Sequence, residues 1–273
     1  MQDASELVDE DARPSEFVEA LARGLAVLES FDASHLEMTL SEIAARVGTT
    51  PATARRSLLT LVSLGYVGQN GKRFHLTPKV MTLGSAFYFS ARIDEVLLPE
   101  LRQIVDTFGD ASSVAVLDGH DVIYVAHHST QRARRASAVV GARYPAHATS
   151  LGRVLAAGLD DDRLEAWLDR LAPVPLTAKT VVCKSELRRL VLEAREAGYA
   201  TTVDQLDYGI TALAVPIRLD GATIAALNSS GYTGLVTPDA LVAERLPDLR
   251  MAATRIAQAS ARYPVLASVL RAR

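Results

Sequence analysis

The chain has 273 residues, of which 49% are hydrophobic, so it can hold a small domain and a larger one, each with its own core. No apolar run approaches the roughly 20 residues that a membrane-spanning helix needs, and the amino terminus lacks a signal-peptide pattern. A single cysteine, Cys183, excludes an internal disulfide and a cysteine-based zinc cluster. We therefore expect a cytoplasmic protein that contacts no membrane, with Cys183 buried or half-buried in a strand.

The first elements in chain order are an acidic leader and an amphipathic helix. Residues 1–15 are rich in Asp and Glu, a composition that predicts a disordered segment. Residues 16–31 have apolar side chains at helical spacing, which predicts a scaffold helix packed beneath the elements that follow. The predicted inward face of this helix consists of Phe17, Leu21, Leu25, Leu28 and Phe31.

Two further helices are predicted next, separated by a tight turn. Thr39 and Glu42 have the spacing of a capping box at the start of the first of them. Gly48 ends that helix, because glycine readily adopts the left-handed conformation of a tight turn. Thr49 or Thr50 caps the second helix, which has a proline in its first turn, where a missing N–H is no loss. The predicted buried residues of the two helices are Leu40, Ile43, Ala44, Val47, Ala54, Leu58, Leu61 and Val62.

A β-hairpin is predicted after the second helix. Short strands at residues 66–67 and 74–76 flank the segment Gln-Asn-Gly-Lys at 69–72, which is an Asn-Gly hairpin signal. Helix, turn, helix and hairpin in this order predict a winged helix-turn-helix over residues 16–77, whose second helix suits the DNA major groove and whose wing suits phosphates. The residues expected to contact DNA are Ser41, Thr50, Thr53, Arg55, Arg56, Lys72 and Arg73.

The local charge supports this interpretation, although the charge of the whole chain does not. The formal net charge is −3 and the pI is near 6.1, which alone argues against a nucleic-acid partner. Between residues 41 and 80, however, six basic residues oppose one acid, so this segment has a net charge of +5. A local basic face on an acidic protein is typical of a regulator that binds double-stranded DNA. The alternative is that Arg55 and Arg56 only form a solvated helix face.

Residues 78–92 are predicted to form a linker helix that carries Val80, Leu83, Phe87 and Phe89. A connecting helix with so many apolar side chains is expected to pack against a partner. In a two-domain regulator, that partner is often a second subunit. We expect a homodimer, whose two-fold symmetry suits a palindromic operator, or a tetramer made of two such dimers.

Residues 93–273 alternate helical and strand patterns, which predict an α+β domain with helices on the faces of a largely antiparallel sheet. Helices are predicted at residues 93–108, 150–159, 161–171, 184–197 and 238–261. Strands are predicted at residues 113–117, 122–127, 136–140, 199–203, 213–219 and 223–229.

Five short segments stand out in this chain: Leu21–Leu28, Leu40–Ala44, Ala54–Leu61, Ala146–Arg153 and Leu213–Ile217. Together they resemble the IclR type of bacterial transcriptional regulators, and the resemblance covers nearly everything from residue 17 onward. It implies a ligand-responsive regulator, activator or repressor, with a winged helix-turn-helix, a linker helix and a GAF-like effector-binding domain. It also implies that the protein is not an enzyme and needs no cofactor. Residues 66–78 are most similar to the branch that controls catabolism of aromatic acids through protocatechuate and β-ketoadipate.

The resemblance implies a small organic acid bound between the sheet and the helix that starts near residue 150. Ser150 and Leu151 match positions whose backbone N–H groups hold the carboxylate, and a helix amino terminus is in itself an anion site. Asp204 matches an acidic residue that accepts from the ligand or orders the pocket. An alternative is that Ser150 is only a helix cap and that Asp204 pairs with an arginine such as Arg153.

Three further positions match the pocket wall of the family. Asn228 and Ser230 match two polar pocket positions on the last strand. Ala212 lies where some relatives carry a cysteine, so this wall is less polar and suits an aromatic carboxylate or a β-ketoadipate-pathway intermediate. An aliphatic acid from another carbon pathway is the alternative effector. Arg134, Arg135 and Arg143 could neutralise an acid, although a charge run is usually a solvated face.

A metal-dependent enzyme is the rival class, since four histidines and two aspartates fall in one part of the chain. However, His127 and His128 are adjacent on a predicted strand and point to opposite faces, so only one could join a shared site. Ser150 lies in no Gly-x-Ser-x-Gly elbow, so nucleophilic hydrolysis lacks its parts. We therefore expect no metal site and no catalytic residues. The candidates considered were His120, His127, His128, His147, Asp118 and Asp121.

Overall fold

The computed structural model describes residues 14–32, 34–90, 92–130 and 138–271. The chain divides into two compact units, Met1–Phe87 and Tyr88–Arg273. Residues 1–13 of the predicted acidic leader, and the predicted arginine pair at 134–135, lie outside the described residues. Within the described ranges, no helix combines the length and the apolar character needed to cross a membrane.

The first unit is a helix-turn-helix followed by a β-wing. Its strands form an antiparallel sheet in which β3 lies between β1 and β2. The predicted capping box is present, since Thr39 N donates to the Glu42 carboxylate at 2.6 Å and Glu42 N donates to Thr39 Oγ1 at 3.4 Å. The elements are α1 (Glu19–Glu29), β1 (Glu37–Thr39), α2 (Leu40–Arg46), α3 (Pro51–Ser63), β2 (Val67–Asn70) and β3 (Arg73–Leu76).

Two details of this unit differ from the sequence prediction. The predicted inward face of α1 is wrong in its first half, because Leu21 and Leu25 are 62% and 48% exposed. Burial on this helix begins only at Ala26, so its amino-terminal turns extend past the core. Strand β1 was not predicted, because three residues carry almost no periodic signal; its central Met38 is buried opposite Phe74 of the wing.

The segment after the wing is helical, as predicted, but it is not one regular helix. A 3₁₀ turn at Pro78–Val80 precedes α4 (Met81–Ser90). Leu83 and Phe89, two of the apolar residues expected to contact a partner subunit, are 55% and 71% exposed. Such exposed apolar side chains on one helix are a feature of interaction surfaces.

The second unit is built on a six-stranded antiparallel sheet with the order β6-β5-β4-β9-β8-β7. Its helices are α5 (Ile93–Val96), α6 (Leu98–Phe108), α7 (Ser150–Ala157), α8 (Asp161–Arg170), α9 (Lys184–Ala197), α10 (Pro238–Arg262) and α11 (Pro264–Leu270). Its strands are β4 (Ala111–Asp118), β5 (Asp121–Ser129), β6 (Arg143–Pro145), β7 (Ala200–Val203), β8 (Ile210–Leu219) and β9 (Ala222–Tyr232).

The two faces of this sheet are covered by different helices. Helices α7, α8 and α9 share one apolar cluster with inward residues of the sheet such as Ala115, Ala214 and Ala226. Helix α10 lies on the opposite face, because its Arg245 donates to Ser229, whose side chain alternates with the neighbouring Asn228 on β9. The α+β architecture with flanking helices is therefore confirmed.

Three predicted features of this unit need correction. The helix predicted at 93–108 is interrupted at residue 97, because Pro99 cannot donate a backbone hydrogen bond to continue the first helix. The strand predicted at 136–140 is not found in its described part, because residues 138–140 contain a bend and a turn, and residues 136–137 lie outside the described residues. The edge strand of the sheet is β6 instead. Cys183 is exposed, since it lies at the cap of α9 rather than in a strand.

Candidate functional site

Helix α3 presents the polar face that the sequence predicts. Thr50 caps the helix, accepting from Thr53 N at 3.3 Å, and the proline in the first turn follows it. Arg55 and Arg56 are exposed, while the opposite face of α3 is buried in the core. Ser41 is also exposed, near the start of α2.

Two of the six basic residues between residues 41 and 80 hold the fold together. Arg46 donates to the Asp32 carboxylate at 2.7 Å and so ties α2 to the loop after α1. Lys79 donates to the carbonyl oxygen of Leu64 at 2.7 Å, and its ammonium lies 4.8 Å from the ring centroid of Tyr66. These two cations therefore have structural roles within the first unit.

The remaining cations are more available to a ligand. Arg73 donates one hydrogen bond to the carbonyl oxygen of Glu37 at 3.1 Å, so it is partly engaged. The side chains of Arg55, Arg56 and Lys72 form no hydrogen bond or ion pair with any residue that the structure describes, and all three residues are exposed. The positive charge of the unit is thus concentrated on the outer face of α3 and at the tip of the wing.

The wing is a two-residue hairpin, but its loop is displaced by one residue from the predicted Asn-Gly pair. Asn70 pairs with Arg73, so Gly71 and Lys72 form the loop. Gly71 has a φ of +59°, a conformation that glycine adopts without strain. This register puts Lys72 at the tip of the wing.

The second unit contains a cavity of about 750 Å³ between α7 and the sheet. Residues near the start of α7 form one wall, and inward residues of β4, β5, β8 and β9 form another. Five of the six predicted effector residues line this cavity: Ser150, Leu151, Ala212, Asn228 and Ser230.

The start of α7 carries unsatisfied donors. Thr149 caps the helix by accepting from Gly152 N at 2.9 Å, which leaves the backbone N–H groups of Ser150 and Leu151 without a partner in the described residues. Ser150 is 1% exposed, and its Oγ has no hydrogen-bond partner among the described residues. Gly152 is required here, because a Cβ would lie 2.1 Å from the carbonyl oxygen of Ala146. Unpaired donors at a buried helix start form an anion site.

Asp204, the sixth predicted effector residue, does not line the cavity. Its carboxylate accepts from Lys179 Nζ, Thr233 Oγ1 and Gly209 N, each at 2.8 Å. The hydrogen bond from Lys179, followed by that from Thr233, lowers the pKa of Asp204 to about 2. Asp204 therefore fastens the β7–β8 loop, whose Leu206 lines the cavity.

The alternative partner considered for Asp204, Arg153, has other contacts. Its guanidinium donates to the carbonyl oxygen of Thr201 at 3.0 Å and to Gln205 Oε1 at 2.5 Å. Burial lowers the pKa of Arg153 to about 10. This arginine links α7 to the end of β7 without an ion pair to Asp204.

Sequence reasoning missed a polar row on the cavity face of the sheet. His127, Ser113 and Asn228 lie opposite one another on β5, β4 and β9. His127 Nδ1 and Ser113 Oγ are 2.9 Å apart, and Ser113 N donates to Asn228 Oδ1 at 2.8 Å. Only Asn228 had a sequence signal, because the pairing of the other two depends on a β-bulge in which Val125 is the extra residue.

The histidines and acids considered for a metal site are dispersed over separate contacts. His120 Nε2 lies 2.9 Å from the carbonyl oxygen of Trp167, and His147 Nε2 lies 3.1 Å from that of Val174. Arg143 bridges the two aspartates of the β4–β5 turn. In the described ranges, no group of three or more His, Cys, Asp or Glu residues could hold a metal ion.

A winged helix-turn-helix with a basic outer face, in one chain with a domain whose cavity is lined by the start of a buried helix, defines the class of ligand-responsive DNA-binding regulators. Residues 20–71 match the IclR helix-turn-helix domain, and residues 87–258 match the domain described as bacterial transcriptional regulator IclR C-terminal. The chain belongs to the IclR family of bacterial transcriptional regulators.

Two curated relatives and one solved structure place the chain within this family. It is 36% identical to the Pca regulon regulatory protein of Pseudomonas putida, over 88% of this chain and 83% of that protein. It is 31% identical to the p-hydroxybenzoate hydroxylase transcriptional activator of Acinetobacter baylyi, over 90% of this chain and 93% of that protein. A similar solved structure is that of an IclR homologue from Microbacterium hydrocarbonoxydans, which was crystallised as a complex with 4-hydroxybenzoate. The two structures match with a TM-score of 0.71 and 27% sequence identity, and the match covers 92% of this chain and 100% of that chain.

Proposed function

We propose that this regulator controls genes for the catabolism of aromatic acids and that its effector is a small carboxylate bound in the cavity beside α7. The names of the two curated relatives support the pathway, since one belongs to a Pca regulon and the other activates a p-hydroxybenzoate hydroxylase gene. The 4-hydroxybenzoate complex of the Microbacterium homologue supports the class of effector. In the cell, the protein acts in the cytoplasm, at its operator on the nucleoid.

The observation that carries the effector proposal is the unsatisfied start of α7. Among the described residues, Ser150 Oγ is buried without a partner, and it lies in the wall of the cavity beside the backbone N–H groups of Ser150 and Leu151, which have no partner there either. A buried donor without a partner costs about 1–3 kcal/mol, so a carboxylate that accepts from it removes this penalty. The helix dipole adds attraction for a negative charge at the same place.

The operator is double-stranded DNA, contacted by the domain that we assign to residues 16–77. Arg55 and Arg56 on α3 read base edges in the major groove, and Lys72 and Arg73 on the wing contact phosphates. Ser41, Thr50 and Thr53 add polar contacts to the backbone near the amino ends of α2 and α3. Support for these roles comes from the exposure and free bonding capacity of the α3 arginines.

The linker, residues 78–92, and the effector domain, residues 93–273, complete the proposed organisation. We place a homodimer interface on α4, because Met81, Leu83 and Phe89 are exposed apolar residues on it. Two such dimers would form a tetramer. Sedimentation of the full chain at micromolar concentration should give a species of twice the 29.3 kDa chain mass or more, and Phe89→Glu should shift it toward the monomer. A wild-type protein that sediments only at 29.3 kDa would contradict this interface.

A thermal-shift screen tests the effector proposal most directly. Aromatic acids and short aliphatic acids are compared, because an effector that binds only the folded state raises the melting temperature with its concentration. We expect the largest shifts from aromatic monocarboxylates, and we expect them to disappear in Ser150→Asp. Shifts that persist in this variant would place the effector elsewhere, and shifts from aliphatic acids alone would assign the protein to another carbon pathway.

A further inference from the structure

The polar row of His127, Ser113 and Asn228 has bonding capacity that no described residue uses. His127 Nε2 and Asn228 Nδ2 form no hydrogen bond with any described residue, although all three residues of the row line the cavity. The row therefore offers polar groups to a ligand at a wall distinct from the start of α7.

The histidine of this row is held in place by two contacts. Ser113 Oγ lies 2.9 Å from Nδ1, and the ring stacks on Tyr124 with a centroid separation of 6.2 Å. Burial, with a smaller effect from His128, lowers the pKa of His127 below its usual value, so the ring is neutral near pH 7. A neutral imidazole whose Nδ1 faces a hydroxyl can present Nε2 either as donor or as acceptor, according to its tautomer.

The surroundings of His127 suit an aromatic ring. Tyr124 and Tyr144 both line the cavity, with ring centroids 5.0 Å apart in an edge arrangement. Asp110 also lines the cavity, but its carboxylate accepts from Arg245 at 2.6 Å, so its charge is compensated. The polar row has no cationic side chain, so a second carboxylate placed there would be buried without a counter-charge, whereas a hydroxyl group carries no charge and matches either tautomer of the imidazole.

We propose that His127, oriented by Ser113, hydrogen-bonds a hydroxyl group on the ring of the effector, so that the regulator selects hydroxylated aromatic monocarboxylates over unsubstituted aromatic acids and dicarboxylates. This specificity rests on the proposed effector site at α7, which holds the carboxylate. His127 is the group that touches the ligand, and Ser113 is a positioning residue.

Calorimetry with four probes tests the assignment: benzoate, 3-hydroxybenzoate, 4-hydroxybenzoate and adipate. With the wild-type chain, at least one hydroxybenzoate should bind about tenfold more tightly than benzoate, the factor expected of one net hydrogen bond, and adipate should bind more weakly than either. In His127→Phe, which keeps an aromatic ring against Tyr124, this advantage should fall to within about twofold, measured as the ratio of hydroxybenzoate to benzoate affinity in the same variant. His127→Gln, whose amide can replace Nε2, should restore part of the advantage.

The neighbouring histidine is the matched control. His128 lies on the opposite face of β5, so His128→Phe should retain the full preference for the hydroxybenzoate. Equal binding of benzoate and both hydroxybenzoates to the wild type would overturn the role of His127. A preference that survives in folded His127→Phe as fully as in His127→Gln would overturn it too, and so would tightest binding of adipate by the wild type. In those cases, acid binding that Ser150→Asp abolishes would leave the α7 site intact. If none of the four probes and no acid in the wider screen binds the protein, the α7 site is overturned as well.

Discussion

Helices α3 and α7 begin in the same way but in opposite surroundings. Thr50 caps α3 and Thr149 caps α7, each by accepting from the backbone N–H three residues later. Every residue of α7 is buried, whereas the arginines of α3 lie in solvent. Water screens the dipole of an exposed helix, so α3 depends on side-chain cations to attract an anionic partner. At α7, where water is largely excluded, backbone amides and one serine hydroxyl can hold a carboxylate without a cation.

The largest effect should come from a fixed charge at the buried helix start. Ser150→Asp should weaken effector binding by at least about 100-fold, because like charges in a buried contact cost several kcal/mol. Ser150→Asn, similar in size but uncharged, should lose less than about tenfold. Calorimetry measures both, and operator affinity should stay at the wild-type value in each. Unaltered effector binding in Ser150→Asp would remove the distinction between the two helices.

At the exposed helix, loss of a base-reading arginine should be the main effect. Arg55→Ala and Arg56→Ala should each cost about 1–3 kcal/mol of operator binding and relax one operator position. Arg163→Ala, an exposed arginine on α8, is the control and should bind the operator normally. Fluorescence anisotropy with a panel of single-base operator variants checks this. If both α3 variants retain full affinity and selectivity, α3 is not the recognition helix.

The salt dependence of binding should differ between the DNA-binding surface and the effector site. Lys72→Ala should weaken binding to all DNA sequences alike and reduce the slope of log affinity against log salt by about one unit, because one fewer phosphate is neutralised. Effector affinity should change little over the same salt range, since α7 is buried. Titrations between 50 and 300 mM salt, with roughly equal steps in log concentration, measure both slopes. An effector affinity as salt-dependent as DNA binding would indicate an exposed acid site.

The smallest effect should appear in the loop that Asp204 fastens. The pKa of Asp204 lies well below its ordinary value, so its stabilising contacts are fully present above that ordinary value and are lost as the pH falls toward 2. The stability difference between wild type and Asp204→Asn should be constant from pH 5 to 7 and shrink between pH 4 and 2. Asp220→Asn is the control, because Asp220 shares the positive φ but has an 80% exposed side chain. Urea midpoints across this pH range measure the effect, and a pH-independent difference would contradict it.

Local signals in the sequence were enough to predict the helix starts. The cap at Thr39, the threonine-proline start of α3 and the threonine cap of α7 depend on residues three or four positions apart, so the pattern is visible without tertiary contacts. The inward positions of Asn228 and Ser230 follow from strand alternation on β9 in the same way. The fold class and the starts of the two helices that carry the proposed sites could therefore be predicted from the chain.

What could not be predicted depends on contacts between distant segments. Asp204 was expected to accept from the ligand or to order the pocket, and the sequence did not indicate its actual partners, Lys179 and Thr233, which lie 25 and 29 residues away. Cys183 was expected in a strand, and its exposure follows from the start of α9. Short β1 exists because it pairs with β3, a partner about 36 residues later. The periodicity of a sequence does not predict such pairings between distant segments.

The extra residue at Val125 affects how specificity can be inferred from an alignment with relatives. Strict alternation from Tyr124 would turn His128 toward the cavity, and the bulge turns His127 there instead. A relative with a histidine at the equivalent of residue 127 but with a regular strand would direct that ring away from its ligand. Identity at this column is thus informative only when the number of residues between the tyrosine and the histidine also agrees.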